Sequence, residues 1–232
     1  MSNIAMQPTY DLDKIKFATD GPTFDKAVGL YENGKVTGVE EGIGAYSAVV
    51  LGFCECYLGQ NDTLCKHMVA VAIYAVSGGK PLSDEDKRLV TGPTCSGRLG
   101  ILSKKDLSAC KKAITAAMRY IKPYSGPSRI WFAYQNSLQE GCNRLAKLVS
   151  DLPVNEQTAT LLVDMLLRLD DKLSRGGVDD SDGTVGGFIE ETVNVLEEYA
   201  KLEPACTQAF HELRDKETCF GWEEPLLELV KN

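Results

Sequence analysis

The chain has 232 residues, of which 44% are hydrophobic and 25% are charged, and its formal net charge is −8. This apolar content is enough to bury the core of one or two domains, and no run of 18 apolar residues predicts a membrane-spanning helix. The opening segment, MSNIAMQPTYDLDKIKF, lacks the apolar stretch of a signal peptide, so we expect a cytoplasmic protein with reduced cysteines.

Four side chains suited to zinc lie close together in the sequence, in the pattern CxC followed by CxH: Cys54, Cys56, Cys65 and His67. Three thiolates and one imidazole fill the tetrahedral shell of zinc and leave no open position for catalysis. The pattern therefore predicts one structural zinc ion. The alternatives are buried cysteines beside a core histidine, or a redox-active CxC pair.

The residues around these four side chains predict a strand, a turn and a helix in that order. Residues 45–58 are rich in β-branched and aromatic residues, which favour a strand that leads into Cys54 and Cys56. Residues 66–76 are apolar and of helix length, and Gly78 and Gly79 follow them as a stop signal. Two helical residues two positions apart diverge by about 200°, so we expect Cys65 before the helix and His67 in its first turn.

This arrangement, in CECYLGQNDTLCKHMVAVAIYAV, resembles the SWIM-type zinc finger, and the chain as a whole resembles small prokaryotic SWIM-domain proteins with a helical C-terminal region. The preceding segment TFDKAVGLYENGKV is similar to the short hairpin that precedes this finger in prokaryotic members, through Phe24, Gly29, Tyr31, Gly34 and Val36. The resemblance implies zinc on the four predicted ligands and a role in binding DNA or a protein partner. Tyr57 departs from the family, in which a proline often follows the second cysteine.

The second half of the chain predicts helices joined by short turns. Glycine and proline break residues 81–102, which we interpret as a connector. Apolar residues at helical spacing then predict helices over residues 103–121, 128–149, 156–173, 185–202, 204–215 and 223–230. The predicted fold class is α+β, with a zinc-finger module and its hairpin over residues 1–80 and an all-helical domain over residues 103–232.

Charge is distributed unevenly along the chain. Residues 87–147 contain 12 Lys and Arg but only 2 Asp and Glu, whereas the segments on both sides are acidic. On the helix that begins at Ser103, six cations fall on one side: Lys104, Lys105, Lys111, Lys112, Arg119 and Lys122. This face predicts contact with nucleic-acid phosphates. The alternative is a solvated face, or one paired with the acidic C-terminal half.

The remaining candidates predict structure rather than chemistry. The acidic loop 179–183 does not place ligands at the spacing of an EF-hand, and it predicts a helix N-cap. His211 is expected to be an ordinary half-buried histidine. No catalytic signature, small-molecule site or enzymatic activity is expected. Two functions remain, a DNA-associated accessory or regulatory protein and a protein-interaction adaptor in which zinc is purely structural.

Overall fold

In the computed structural model the chain divides into two units, Met1–Leu89 and Val90–Asn232. The first unit contains a small two-stranded sheet and helices, and the second is helical, so the predicted α+β class is confirmed. The structure describes residues 10–19, 21–42, 45–50, 65–89, 92–127 and 131–230.

In the described residues of the first unit, two helices precede the sheet and two follow it. In chain order these elements are α1 (Leu12–Phe17), α2 (Gly21–Glu32), β1 (Val36–Gly42), β2 (Ala45–Val50), α3 (Lys66–Ser77) and α4 (Asp84–Lys87). Its buried core joins α2 to α3, and Ile15, Val36 and Leu82 add to it from the neighbouring elements.

The hairpin predicted over TFDKAVGLYENGKV is wrong, because most of this segment forms α2. Phe24, Ala27, Val28 and Tyr31 are all buried, and their spacing of three and four residues places them on one helical face. The burial of this face on α3 outweighs the turn signals of the glycines. The hairpin follows directly afterwards, as β1 and β2.

Strands β1 and β2 pair antiparallel, with Val36 opposite Val50 and Gly42 opposite Ala45. The register shifts between Thr37 and Glu40, where β1 carries an irregularity. Gly38 lies in this irregularity with a φ of 56°, a conformation that glycine adopts without the Cβ penalty of other residues. Strand β2 leads toward the predicted ligands Cys54 and Cys56, which lie outside the described residues.

The second unit matches the predicted helices closely. Its elements are α5 (Lys104–Ala117), α6 (Trp131–Asp151), α7 (Glu156–Ser174), α8 (Thr184–Leu202), a 3₁₀ helix (Pro204–Leu213), a short 3₁₀ turn (Cys219–Gly221) and α9 (Glu224–Glu228). The N-cap position of α8 is Gly183, which has no side chain to cap the helix, and the acidic loop contributes instead through Asp180. The Asp180 carboxylate accepts hydrogen bonds from the backbone N–H groups of Val185 and Gly186 at 2.7 and 2.8 Å.

One buried carboxylate ties the end of the second unit to its core. Asp170 of α7 is 9% exposed and accepts a hydrogen bond from the Cys219 backbone N–H at 2.7 Å. The same oxygen accepts a hydrogen bond from the Trp222 indole N–H at 3.0 Å. The segment after the 3₁₀ helix is therefore fixed to α7 by two charge-assisted hydrogen bonds.

The segment predicted to be a connector, residues 81–102, contains α4 in the first unit and an ordered stretch in the second. Ser83 caps α4 in a capping box with Asp86. Residues 94–102 run along the junction of α6 and α7, where Ser96 donates a hydrogen bond to the Leu152 carbonyl at 2.6 Å. None of the helices in the described part of the chain is long and apolar enough to cross a membrane.

Candidate zinc site and basic surface

The start of α3 brings together two of the four predicted zinc ligands. Cys65 is the N-cap residue, with an extended backbone (φ −96°, ψ 161°), and His67 lies in the first helical turn, as the sequence predicts. The Cys65 Sγ atom lies 3.9 Å from the His67 Nδ1 atom. The two side chains therefore converge although their positions are only two residues apart.

This separation fits two ligands of one zinc ion. Bond lengths of about 2.3 Å for zinc to sulfur and 2.0 Å for zinc to nitrogen, at a tetrahedral angle, place the two donor atoms about 3.5 Å apart. The pKa of His67 is lowered, first by burial and then by the charge of Lys66, which favours the neutral imidazole that a metal requires. The separation of Cys65 and His67 is thus compatible with two positions of a tetrahedral shell.

The helix that carries this pair is anchored at its other end. The Tyr31 hydroxyl of α2 lies 2.6 Å from the Ser77 hydroxyl and donates a hydrogen bond to the Lys80 carbonyl at 2.6 Å. Gly78 ends α3 in the left-handed conformation, with its N–H bonded to the Tyr74 carbonyl. Buried side chains of α3 pack on α2 between these two ends. The position of Cys65 is therefore set by a helix that is fixed along its length.

The ligand set implies a structural zinc rather than a catalytic one. Cys65 and His67 would hold the ion together with Cys54 and Cys56, whose contacts lie outside the described residues. The N-terminus of α3 and the ammonium group of Lys66 supply positive charge that would partly offset three thiolates. A filled shell of this kind supplies folding energy and leaves no site for a substrate.

His211 does not form a second site of this kind. It lies exposed on the 3₁₀ helix Pro204–Leu213, so the predicted half-buried position is wrong. The exposure follows from the burial of its neighbours Ala209, Phe210 and Leu213, which turns His211 to the opposite side. Among the described residues, no group of three or more His, Cys, Asp or Glu side chains is placed to hold a metal ion.

The six predicted cations form an exposed surface on α5 and the turn after it, which we call the basic surface. All six side chains are exposed: Lys104, Lys105, Lys111, Lys112, Arg119 and Lys122. In the described part of the chain, no ion pair joins any of them to a carboxylate. The opposite side of α5 is buried through Ile114 and Ala117, as predicted. The alternative of internal pairing is thus not supported for the described residues.

Two cations beside the basic surface, Arg168 and Lys172, were not predicted from the sequence. Lys111 lines an open groove of about 870 Å³ together with Arg168 and Lys172 of α7. Arg168 donates a hydrogen bond to the Thr115 hydroxyl at 3.2 Å, and Lys172 donates one to the Ile121 carbonyl at 2.7 Å. The pKa of Lys172 is lowered by burial first and by the charge of Arg168 second. Their spacing of four residues on one helix was the signal that could have indicated them.

The groove itself has mixed charge, because carboxylates also line it. Asp164, Asp171 and Glu212 lie around the same space, and Arg175 pairs with Asp171. An anion in this groove would meet three negative charges as well as the cations. The exposed side of the basic surface is therefore the better candidate for a polyanion.

The five cysteine thiols of the helical unit all have raised pKa values. Burial raises the pKa of Cys95, Cys110, Cys142 and Cys219, and it raises the pKa of Cys206 to about 11. A raised pKa lowers the thiolate fraction at neutral pH, and the thiolate is the reactive form. We therefore expect these five thiols to be less reactive at neutral pH than an unperturbed cysteine.

We expect iodoacetamide at pH 7.5 to alkylate these five thiols slowly, and more rapidly as the pH rises toward their raised pKa values. Removal of zinc with a chelator should make Cys54, Cys56 and Cys65 newly reactive, because thiolates held by a metal are protected. Peptide mapping by mass spectrometry measures each site. The rates at Cys142 and Cys206 serve as the control and should not change with the chelator. Equal alkylation of Cys65 with and without zinc would contradict its role as a ligand.

Comparison with known proteins gives one finding. Residues 35–75 match the family model of the SWIM zinc finger, which confirms the resemblance found in the sequence. The matched segment begins just before β1, ends within α3 and contains all four predicted ligands. Neither the curated proteins nor the solved structures contain a match to this chain. The SWIM zinc finger indicates zinc binding and an interaction with nucleic acid or protein, without a more specific role.

Proposed function

We propose that this chain is a non-catalytic, zinc-binding SWIM-finger protein that binds nucleic acid, in a DNA-associated accessory or regulatory role. One zinc ion on Cys54, Cys56, Cys65 and His67 holds the first unit in its fold. The basic surface of the helical unit supplies the contacts to phosphates. The zinc finger alone does not account for these contacts, because residues 1–86 contain 12 Asp and Glu against 6 Lys and Arg.

The observation that carries this proposal is the exposure of six neighbouring cations with no carboxylate partner among the described residues. Each phosphate contact by Lys or Arg releases condensed counterions, so such a surface binds nucleic acid with little dependence on sequence. Lys105 and Lys112 are spaced by seven residues on α5, and Arg119 follows seven residues later in the turn after the helix. We infer that cations spaced in this way follow a line of phosphates more closely than scattered charges would.

We expect the zinc-loaded full-length chain to bind labelled DNA or RNA with an affinity that falls steeply as salt rises. The triple variant K105E/K112E/R119E should lower the slope of log affinity against log salt by about three and weaken binding at least about tenfold. Fluorescence anisotropy with single- and double-stranded probes measures both quantities. It also tells DNA from RNA as the preferred ligand.

The matched control is the triple variant K201E/R214E/K216E. These three cations are also exposed and belong to the same helical unit, so the change in net charge is identical. The control should keep most of the affinity, because its charges lie outside the basic surface. Equal losses in the two variants would mean that only net charge matters. No binding at low salt would contradict nucleic-acid binding and leave the protein-interaction adaptor as the function to test.

A further inference from the structure

The ordered stretch before α5 carries two exposed apolar side chains that no described contact covers. Leu99 is 65% exposed and Ile101 is 82% exposed. The stretch is firmly held on its other side, since the Val154 N–H donates to the Arg98 carbonyl at 2.7 Å and the Asn155 side-chain amide donates to the Gly100 carbonyl. Leu99 and Val154 form a parallel β-bridge. Two large apolar side chains are thus presented to solvent by a fixed backbone.

The backbone of residues 98–101 is hydrogen-bonded along one edge and has no described partner along the other. In a strand, the N–H and C=O groups of neighbouring residues point to opposite edges. Because the carbonyls of Arg98 and Gly100 both point toward the junction of α6 and α7, the N–H groups of Leu99 and Ile101, which lie opposite to those carbonyls across trans peptide planes, point away from it. Among the described residues, none donates to or accepts from the N–H and C=O groups of Leu99 and Ile101. We call this edge, residues 98–102, the open edge.

An open edge of this kind accepts another strand. An extended peptide that adds to an edge gains main-chain hydrogen bonds, and alternate side chains give the specificity. Leu99 and Ile101 are two residues apart, so their side chains lie on one face, where a partner's apolar side chains would cover both. The same docked strand would satisfy the backbone groups of both residues.

The charges around the open edge favour an acidic partner strand. Arg98, Lys104 and Lys105 are exposed and flank the two apolar residues in the sequence, and the Arg98 guanidinium also donates a hydrogen bond to the Asp151 carbonyl at 2.8 Å. The nearest acid in the sequence, Asp106, accepts a hydrogen bond from the Ser103 hydroxyl at 2.6 Å, a contact that does not cancel its charge. The three cations outnumber this acid, so a strand rich in Asp and Glu would be attracted, whereas a basic strand would be repelled.

We propose that the open edge docks an extended, acidic segment of a partner protein. The segment adds one strand beside Leu99 and Ile101, covers their side chains with its own apolar residues, and places its carboxylates against Arg98, Lys104 and Lys105. This interaction does not rest on nucleic-acid binding, although Lys104 and Lys105 belong to both surfaces. A bound acidic segment would therefore compete with nucleic acid at the near end of α5.

A displayed library of random eight-residue peptides, selected on the immobilised zinc-loaded chain, tests the proposal. We expect enriched peptides that alternate apolar residues with Asp or Glu. The variant I101S should weaken an enriched peptide about tenfold or more, because a large apolar contact is lost. The matched control L202S removes an apolar side chain that is 48% exposed elsewhere in the same unit, and it should leave the affinity unchanged.

Nuclear magnetic resonance of the ¹⁵N-labelled chain tests the geometry of docking. The amides of Leu99 and Ile101 should shift and become protected from hydrogen exchange on binding the peptide, while those of Arg98 and Gly100 should change little. Failure to enrich any peptide, enrichment of basic peptides, or equal binding by I101S would each overturn the proposal. A dimer of the free chain that I101S dissociates would also overturn it, with a second copy as the occupant.

The same variants distinguish peptide docking at the open edge from the proposed binding of nucleic acid. The I101S variant should keep its affinity for nucleic acid, because no cation of the basic surface is changed. The variant K105E/K112E/R119E should lose nucleic acid strongly but lose the peptide only through its change at Lys105. A single surface for both ligands would instead make the two variants equally defective toward both.

Discussion

Replacing Cys65 with serine is expected to abolish zinc binding and to unfold the first unit. The hydroxyl of serine is a poor zinc ligand, and the binding free energy of a structural zinc, on the order of 10 kcal/mol, is folding free energy in so small a unit. H67A should act in the same way. The zinc content of the purified protein, measured with a colorimetric chelator, gives the first readout, and limited proteolysis of residues 1–89 gives the second.

Two further variants make this test specific. H67C should retain zinc, because four thiolates also form a tetrahedral structural shell. C110S removes a half-buried thiol on α5 and should keep both the zinc content and the protease resistance of the wild-type chain. The helical unit should survive in every variant, since it has its own buried core. Full zinc content in C65S would show that the ligand assignment is wrong.

Replacing Asp170, the buried carboxylate on α7, with alanine is expected to destabilise the helical unit strongly. D170A removes the acceptor of two hydrogen bonds and leaves the Trp222 indole N–H buried without a partner. Hydrogen bonds to charged groups contribute about 1.5–3 kcal/mol each, so the helical unit should lose about 3 kcal/mol or more of unfolding free energy. Urea denaturation followed by circular dichroism at 222 nm measures the loss.

The neighbouring residue provides the control for this change. Asp171 is exposed and forms its ion pair with Arg175 on the surface of the same helix. D171A should lower the unfolding free energy by about 0.5 kcal/mol, in line with exposed pairs. D170N keeps the shape and one acceptor oxygen and should fall between these two variants. Equal stability of D170A and D171A would contradict the role assigned to the buried carboxylate.

The helices of the second unit were predictable because of their apolar stripes, and two of them also have a side-chain cap as a start signal. Ser103 and Asn155 cap α5 and α7 through side-chain hydrogen bonds, as expected for such residues. Their buried residues recur at helical spacing, which periodicity detects directly. The end of α5 was less predictable. The helix ends at Ala117 although the apolar pattern continues to Ile121, which is buried in the turn that follows.

The first unit was harder to predict, for a physical reason. Gly29 within α2 and Gly34 just after it suggest a hairpin locally, but the burial of one helical face against α3 stabilises a helix instead. That contact joins residues separated by about forty positions, so no local window contains it. The start of α3 was predictable because a single geometric rule places Cys65 before the helix and His67 within it.

The two candidate surfaces, the basic surface and the open edge, were only partly predictable from the sequence. The cations on α5 were predictable as a row because one helix carries them, whereas the approach of Arg168 to Thr115 needs the packing of two elements. The open edge was not predictable, since glycines at positions 97 and 100 indicate a connector. Its order comes from hydrogen bonds to Val154 and Asn155, which lie more than fifty residues further along the chain.

The two tryptophans, Trp222 buried and Trp131 half-buried, make the fluorescence of the chain a specific probe of one unit. Both tryptophans of the sequence belong to the helical unit, where the Trp131 and Trp222 indole N–H groups donate to Asp179 and Asp170 at 3.2 and 3.0 Å. Residues 1–89 contain tyrosine but no tryptophan. Emission excited at 295 nm therefore follows the helical unit alone, and loss of zinc from the other unit should leave that emission unchanged.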